Sequence, residues 1–195
     1  MKTLECRGIT LSDKQTKICV PITGTDLEEI KEQAEKIANM NPDVVEWRAD
    51  FYDVKDNDET EFEQCLKTIN DNLKKIPIIY TYRTSNEGGE KSIDVDDYCR
   101  LCKYVSEISE KYNVAMIDVE LYENKDRKDI GKLLLDIKST GVKVIGSNHH
   151  FEGTPSEKDI FNVLKTMEEA GADICKIAVM PKEKVDVKTL INASK

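Results

Sequence analysis

The sequence predicts an α/β protein built on a parallel β-sheet that is covered by helices. Short apolar runs rich in β-branched residues alternate with amphipathic stretches along most of the 195-residue chain. The runs are almost continuously apolar, which is typical of strands buried on both faces. Successive parallel strands need a crossover connection, and the amphipathic stretches between them supply it.

Six apolar runs are candidate strands. They are KICVPI from Lys17, VVEWRAD from Val44, PIIYTYR from Pro77, AMIDVELY from Ala115, VKVIGSNHHF from Val142 and ICKIAVM from Ile174. Helical patterns lie between them, at 26–40, 60–76, 94–112, 126–140 and 156–171. The last residues, 186–195, continue as a further helical pattern, and the first 16 predict a short extra strand or hairpin.

Local signals support these helix boundaries. Ser156 followed by Asp159 resembles a capping box at the start of a helix. Gly141 and Gly171 stand where a helix commonly ends in a left-handed residue. The helical patterns therefore begin and end at residues that favour helix termini.

Length and charge narrow the class of protein. A chain of 195 residues fits one domain, and we assign residues 1–195 to a single domain. The 29 basic and 38 acidic residues give a net charge of −9, which repels nucleic acid. No run is apolar and long enough to cross a membrane, and the N-terminus lacks the apolar centre of a signal peptide. We expect a cytoplasmic protein with neither nucleic acid nor membrane as a partner.

The cysteines do not indicate a disulfide framework. All six are scattered, and a cytoplasmic chain of this length has a core of its own, so we expect them to be reduced. Cys99 and Cys102 form a C-x-x-C pair inside a helical pattern, with no second pair to complete a zinc site. We expect no metal.

Polar residues collect at the carboxyl ends of the candidate strands. They are Glu46, Arg48, Asp50, Arg83, Glu87, Asp118, Glu120, Ser147, Asn148, His149 and His150, with Lys176 inside the sixth strand. In barrels of parallel strands this edge carries the active site. No glycine-rich phosphate loop follows any strand, which argues against a nucleotide-binding sheet.

Lys176 is the strongest candidate for covalent chemistry. It lies in the apolar strand DICKIAVMP, where burial would favour the neutral amine, the form that condenses with a ketone or aldehyde. The alternative is a lysine that pairs with a carboxylate or reaches solvent at the strand end.

The only two histidines of the chain, His149 and His150, are adjacent at a strand end. Alternation along a strand places their side chains on opposite faces, so at most one points into a central site. Histidine is suited to proton transfer near neutral pH. The alternative is a pair of loop histidines without a role.

Arg48 and Arg83 predict a local anion site in an otherwise acidic protein. Each follows an apolar strand, and a guanidinium offers a fork of donors to a carboxylate. The alternative is ion pairing with Glu46, Asp50 or Glu87. Glu46 stands two residues before Arg48 and shares its face of the strand.

Four segments carry a resemblance to a known family. They are EWRAD at 46–50, TYRTSNEGGE at 81–90, SNHHF at 147–151 and KIAVMP at 176–181. In this order, and at strand ends, they resemble the type I 3-dehydroquinate dehydratases of the shikimate pathway, which serves aromatic amino acid biosynthesis. The resemblance implies a (β/α)8 TIM-barrel fold, an anionic substrate (3-dehydroquinate), product 3-dehydroshikimate, no cofactor or metal, and a homodimer.

The resemblance also implies a role for each matching residue. Lys176 would form the imine with the substrate ketone, and His149 would be the general acid and base. Glu87 would orient the histidine, and Glu46, Arg48 and Arg83 would contact the substrate. His150 stands where the family usually has Asp or Asn.

Only six of the eight βα units of such a barrel are visible in this sequence, so we expect a C-terminally incomplete barrel domain. Its open edges would be exposed unless another chain covers them, and we expect reduced or absent activity of the isolated chain. Two other functions remain open: another Schiff-base barrel enzyme of the aldolase or transaldolase type, and a non-catalytic remnant that binds a metabolite or partner.

Overall fold

The computed structural model describes residues 3–53, 58–124 and 126–194 as a curled parallel sheet with helices on its outer face. Its strands are β1 (Thr3–Cys6), β2 (Ile9–Ser12), β3 (Cys19–Ile22), β4 (Val44–Arg48), β5 (Ile78–Thr81), β6 (Val114–Glu120), β7 (Lys143–His150) and β8 (Ile174–Val179). Its helices are α1 (Leu27–Met40), α2 (Glu59–Leu73), α3 (Val95–Glu107), α4 (Lys128–Ser139), α5 (Glu157–Glu169) and α6 (Lys184–Ala193).

The strand order follows the chain. Strands β3 to β8 pair in sequence, each parallel to the next, and β1 and β2 form a separate antiparallel hairpin. The predicted α/β class, the six parallel strands and the hairpin before them are confirmed.

Polar side chains fix where four of the helices begin. The N-cap residues are Asp26, Asp58, Asp94 and Ser156. At the predicted cap, the Asp159 amide donates to Ser156 Oγ at 3.2 Å, and the Ser156 hydroxyl donates to the Asp159 carboxylate. Gly141 and Gly171 have positive φ angles, as predicted for helix ends. Local capping therefore sets these boundaries.

Helix α3 ends earlier than its sequence pattern. The pattern extends to residue 112, whereas the helix ends at Glu107 and turns follow. Asn113 adopts a φ of 56°, a left-handed conformation that asparagine tolerates, and it leads the chain into β6. The Val114 amide donates to the Ser109 carbonyl at 2.9 Å, which stabilises this turn.

The main core lies between the outer face of the sheet and the helices. Trp47 on β4 is fully buried and packs against Phe62 of α2 and Tyr80 of β5, with ring centroids 5.7 and 5.6 Å apart. Residues at alternate strand positions share this core. They include Val45, Trp47, Ile78, Tyr80, Ile117, Val119 and Val144. The other alternate set faces the inside of the curled sheet.

A smaller apolar cluster fills the inside of the sheet at its amino-terminal end. It joins Cys6, Ile9 and Leu11 of the hairpin to Val44, Ile79, Met116, Ile145 and Ile174 of the parallel strands. The hairpin thus covers the end of the sheet opposite to the carboxyl ends of the strands.

Burial changes sharply across the sheet. Every residue of β6 is buried, whereas every residue of β8 is partly exposed. The sequence predicts a β8 buried on both faces, and this prediction is wrong for the residues described, because β8 pairs with β7 alone. Within these ranges, no helix is long and apolar enough to cross a membrane.

Candidate active site

The inner face of the sheet is apolar at one end and polar at the other. Reading each strand at alternate positions, Val44, Ile79, Met116, Ile145 and Ile174 form the apolar end. The next inward positions are Glu46, Thr81, Asp118, Ser147 and Lys176, and above them lie Arg48, Arg83, Glu120 and His149. Strand alternation therefore places the polar residues at the carboxyl edge.

His149 forms the most direct polar pair of the site. Its Nδ1 lies 2.8 Å from Glu87 Oε2, and the carboxylate also accepts from Asn148 Nδ2 at 3.4 Å. Glu87 is buried, in the loop that follows β5. Gly88 makes this placement possible, because an added Cβ would lie 2.2 Å from the Phe151 ring. The loop and the β7 end are packed closely enough to fix the pair.

The two histidines differ in their contacts. His149 joins the inner polar set through Glu87, whereas the buried Nε2 of His150 has no hydrogen-bond partner among the described residues. His149 contacts the site through Glu87, and that at most one of the two histidines points into the site stays a prediction.

Arg83 is the centre of a buried charge network. Its Nη2 donates to Asp118 Oδ1 at 2.8 Å, and its Nη1 donates to Glu120 Oε1 at 3.2 Å and to Ser147 Oγ at 2.9 Å. Nη1 also lies 3.5 Å from Glu87 Oε2. Burial by itself lowers the pKa of Arg83, but the charges of Asp118 and Glu120 outweigh it and raise that pKa. The alternative of ion pairing with Glu87, left open by the sequence, is therefore present at Arg83.

The two carboxyls of β6 respond differently to burial. Burial raises the pKa of Asp118, but the charges of Arg83 and Lys176 and the Ser147 hydroxyl outweigh it, so the pKa is lowered. For Glu120, burial dominates and raises the pKa, although Thr84 donates through its amide and its hydroxyl, each at 2.7 Å. Asp118 is therefore the more firmly ionised carboxylate of the pair.

Lys176 lies between two anchored carboxylates. Its Nζ is 3.4 Å from Asp118 Oδ2 and 3.9 Å from Glu46 Oε1. Glu46 Oε1 in turn accepts from the Thr81 hydroxyl at 2.7 Å. The lysine side chain is 40% exposed and lines a cleft of about 1490 Å³ that runs round the edge of β8. The amine is thus held by carboxylates and accessible at the same time.

Arg48 lies on the same inner face, but its hydrogen bonds go elsewhere. Its Nε and Nη2 donate to the two oxygens of Asp50 at 2.8 and 2.7 Å, and the guanidinium lies 4.9 Å from the Phe51 ring centre. The Asp50 bond raises its pKa further. The alternative of ion pairing with Asp50 is therefore realised, on a side chain that stays half-buried.

All six predicted site residues lie on the inner face or in the loop above it. Lys176 contacts Glu46. Separately, Glu87 contacts both His149 and Arg83. Sequence reasoning noted Asp118, Glu120 and Ser147 at strand ends but gave them no role. A signal was present, since Asp118 and Glu120 occupy alternate positions in an otherwise apolar buried strand.

Among the described residues, the cysteines form neither a disulfide nor a metal-binding cluster at this face. All six are free thiols, and Cys99 and Cys102 lie on α3. Over 3–53, 58–124 and 126–194, no group of three or more His, Cys, Asp or Glu residues could hold a metal ion.

A curled parallel sheet with a lysine, a histidine and carboxylates at its carboxyl edge defines an enzyme of the (β/α)-barrel class. Within that class the family model for type I 3-dehydroquinase matches residues 18–195. The chain belongs to the type I 3-dehydroquinase family, as its four motifs predict.

Curated relatives and solved structures agree with this assignment. The 3-dehydroquinate dehydratases of Clostridium novyi and Bacillus licheniformis are 37% and 40% identical over 194 and 195 residues. These matches span 100% and 99% of this chain and 74% of each relative. The chain therefore spans about three quarters of the relatives' length.

The structural matches show the same fold at similar coverage. A type I 3-dehydroquinate dehydratase from Clostridium difficile, solved with covalently modified comenic acid, has a TM-score of 0.91 at 35% identity. It is matched over 98% of this chain and 74% of its own. The enzyme from Geobacillus kaustophilus has a TM-score of 0.91 at 29% identity, over 99% of this chain and 73% of its own.

Proposed function

We propose that this chain is a dehydratase that converts 3-dehydroquinate to 3-dehydroshikimate through an imine at Lys176. The observation that carries the proposal is the placement of the amine and the imidazole. Lys176 pairs in register with Ser147, two residues before His149, and both side chains face the inside of the sheet. Family membership supports the substrate and the reaction.

The reaction needs an electron sink and a proton carrier. The neutral amine of Lys176 attacks the ketone carbon of the substrate, and loss of water gives a protonated imine. This cation accepts the electron pair released when the proton on the neighbouring carbon is removed. The pair then expels the β-hydroxyl, which leaves as water after protonation, and hydrolysis of the imine releases the product and restores the amine.

His149 is the group we assign to the proton transfers. The bond between Nδ1 and Glu87 occupies one ring nitrogen and leaves Nε2 to exchange protons with the substrate. The carboxylate favours the tautomer with the proton on Nδ1 and stabilises the imidazolium that forms during the reaction. Glu87 therefore acts by orienting the histidine.

The remaining predicted residues are assigned to substrate binding. Arg48 is partly exposed at the rim, where its guanidinium can meet the substrate carboxylate. Glu46 lies beside Lys176, within reach of a bound hydroxyl group. Arg83 is 4% exposed and its guanidinium is paired with buried carboxylates. We assign it an indirect part in binding: it holds in place the carboxylates that line the site.

The cytoplasmic location, the homodimer and the assignment of 1–195 to a single domain stay predictions. The aldolase or transaldolase alternative gains no support from the family match. The non-catalytic alternative predicts binding without covalent capture, which the following experiment separates from catalysis.

Reduction with borohydride in the presence of 3-dehydroquinate tests the proposal directly. We expect a stable mass adduct on the peptide that contains Lys176, together with formation of the enone product in the absence of borohydride. Folded protein that binds the substrate but gives neither adduct nor product would support the non-catalytic alternative. Folded protein with an adduct on another lysine would refute the assignment of Lys176.

A further inference from the structure

Asp118 is a buried carboxylate that faces the reactive lysine across strand β7. It lies on β6 and is 1% exposed, while Lys176 lies on β8. Ser147, on the strand between them, donates to Asp118 Oδ1 at 2.6 Å. Burying a carboxylate costs desolvation free energy unless several hydrogen-bond donors or cations contact it.

The two oxygens of Asp118 have different partners. Oδ1 accepts from Arg83 Nη2 at 2.8 Å and from Ser147 Oγ at 2.6 Å. Oδ2 lies 3.4 Å from Lys176 Nζ. Two short hydrogen bonds fix the carboxylate through one oxygen, and the other oxygen is left to the lysine.

We propose that Asp118 is a positioning residue, which holds Nζ of Lys176 in place and remains beside that nitrogen as the fixed anion when the nitrogen becomes a protonated imine. This inference rests on the proposed role of Lys176. The anion has opposite effects at two stages: it disfavours the neutral amine before attack, and it stabilises the cationic imine that draws electrons afterwards.

Glu46 is the other carboxylate near Lys176, and it is less suited to this role. Its Oε1 is farther away, at 3.9 Å, and its side chain is 20% exposed. Asp118 is ionised in a buried setting, where a charge acts more strongly than at a surface. Of the two carboxylates, Asp118 is therefore the one whose removal should change the position and reactivity of Lys176 Nζ more.

Several charged or titratable groups surround this pair. Lys176 has Asp118 on β6, Glu46 on β4 and Cys19 on β3 as neighbours. The charges of Arg83 and His149 lower the pKa of Asp118. Tyr98 and Cys102 of α3 also lie near Asp118. Burial raises the pKa of Cys19 to about 11, so its thiol is neutral where the amine is tested.

The test compares wild-type protein with Asp118→Asn by the reactivity of Lys176 itself. Formaldehyde forms an imine with the neutral amine, and cyanoborohydride reduces it by hydride transfer to a methylated lysine that peptide mapping quantifies. At a fixed pH of about 8, Lys176 should be methylated several-fold faster in the variant than in wild type, since the opposing anion has been removed. Lys31, exposed on α1 and paired with Glu35 away from this cleft, serves as the internal control.

Turnover of 3-dehydroquinate supplies a second readout. In Asp118→Asn we expect kcat to fall about 100-fold, as for a misplaced reacting group, with a much smaller change in KM. Methylation of Lys176 at the wild-type rate, in folded variant, would overturn the inference. Methylation does not depend on the natural substrate, so a wild-type protein without turnover leaves this comparison intact and counts against the proposed function alone.

A second variant covers the case in which Asp118→Asn does not fold. Ser147→Ala keeps every charge and removes one of the two donors on Asp118 Oδ1. We expect a lower kcat with Lys176 methylated at the wild-type rate, because the anion stays but is less well held. Wild-type kcat in this variant would contradict the positioning role.

Discussion

The two sides of the site differ in how firmly they are built. On the histidine side, Arg83, Glu87 and Glu120 are buried and each has a close polar partner. On the lysine side, every residue of β8 is partly exposed, and α6 after it has no buried residue. The difference indicates that the proposed proton-transfer group, His149, is held by a buried hydrogen-bond network. The proposed covalent group, Lys176, lies instead on a strand that solvent reaches.

The position of each strand in the sheet explains the contrast. Strand β6 lies between β5 and β7 and is covered by helices, so both of its faces and both of its edges are buried. Strand β8 pairs with β7, and the cleft beside Lys176 opens along its other edge. Substitutions on β8 should therefore affect chemistry more than stability, and substitutions around Arg83 should affect both.

The largest expected effect comes from removing the amine. Lys176→Met should abolish both turnover and the borohydride adduct, because no other group of the site can form the imine. Its melting temperature should stay close to that of wild type, since the side chain lies at a partly exposed strand. Lys31→Met, on the exposed face of α1 and away from the cleft, is the matched control and should keep both activities. An adduct of normal yield in Lys176→Met would show that the lysine side has been placed wrongly.

The second prediction separates the two sides from each other. His149→Ala should reduce turnover about 1000-fold, since general acid and base catalysis is lost, while leaving imine formation at Lys176. Turnover is followed by product absorbance and imine formation by borohydride trapping. His150→Ala changes the neighbouring histidine, which strand alternation places on the opposite face, and should keep wild-type turnover. Equal losses in the two variants would remove the basis for assigning the proton transfers to His149.

The third prediction concerns stability on the histidine side. Arg83→Met leaves Asp118 and Glu120 buried without their cation and should lower the free energy of unfolding by about 3 kcal/mol. Arg48→Met should cost only about 1 kcal/mol, because Asp50 still accepts from two backbone amides. Urea unfolding at pH 7 measures both. Similar losses would mean that the buried network contributes no more than the rim pair.

The smallest expected effect belongs to a charge cluster outside the site. Glu63 accepts from Tyr104, Lys111 and Tyr112, each at 2.7 Å, and these bonds lower its pKa from 4.5 to about 2. The folded state binds this proton more weakly than the unfolded chain, so the stabilisation is complete above pH 4.5 and is lost as pH falls towards 2.

Glu63→Gln should lower the melting temperature by about 2 °C at pH 7, and the difference from wild type should shrink between pH 4.5 and pH 2. Thermal unfolding by circular dichroism over this pH range measures it. Gln64→Ala, one position along the same helix, is the control. A difference that stays constant down to pH 2 would mean that the charge of Glu63 is not what stabilises α2 against α3.

Much of the site could be predicted because its residues are arranged by local rules. Alternation along a strand puts Glu46 and Arg48 on one face and separates His149 from His150, whatever the rest of the fold does. The motif resemblance added Glu87, which geometry then placed 2.8 Å from His149. The role of Asp118 was not predicted, because it depends on Arg83, which follows β5, and on Ser147 and Lys176 of two other strands.

The sequence by itself determined the α/β class, the strands and helices, the capped helix starts and the set of polar residues at the carboxyl edge. These follow from periodicity and from contacts within a few residues, which are encoded locally. Tertiary structure alone decided that Arg83 is enclosed by carboxylates, that Asp118 holds Lys176, and that β8 is partly exposed. Those outcomes depend on strand order, register and curvature, which join groups 29 to 64 residues apart and set how much water reaches each charge.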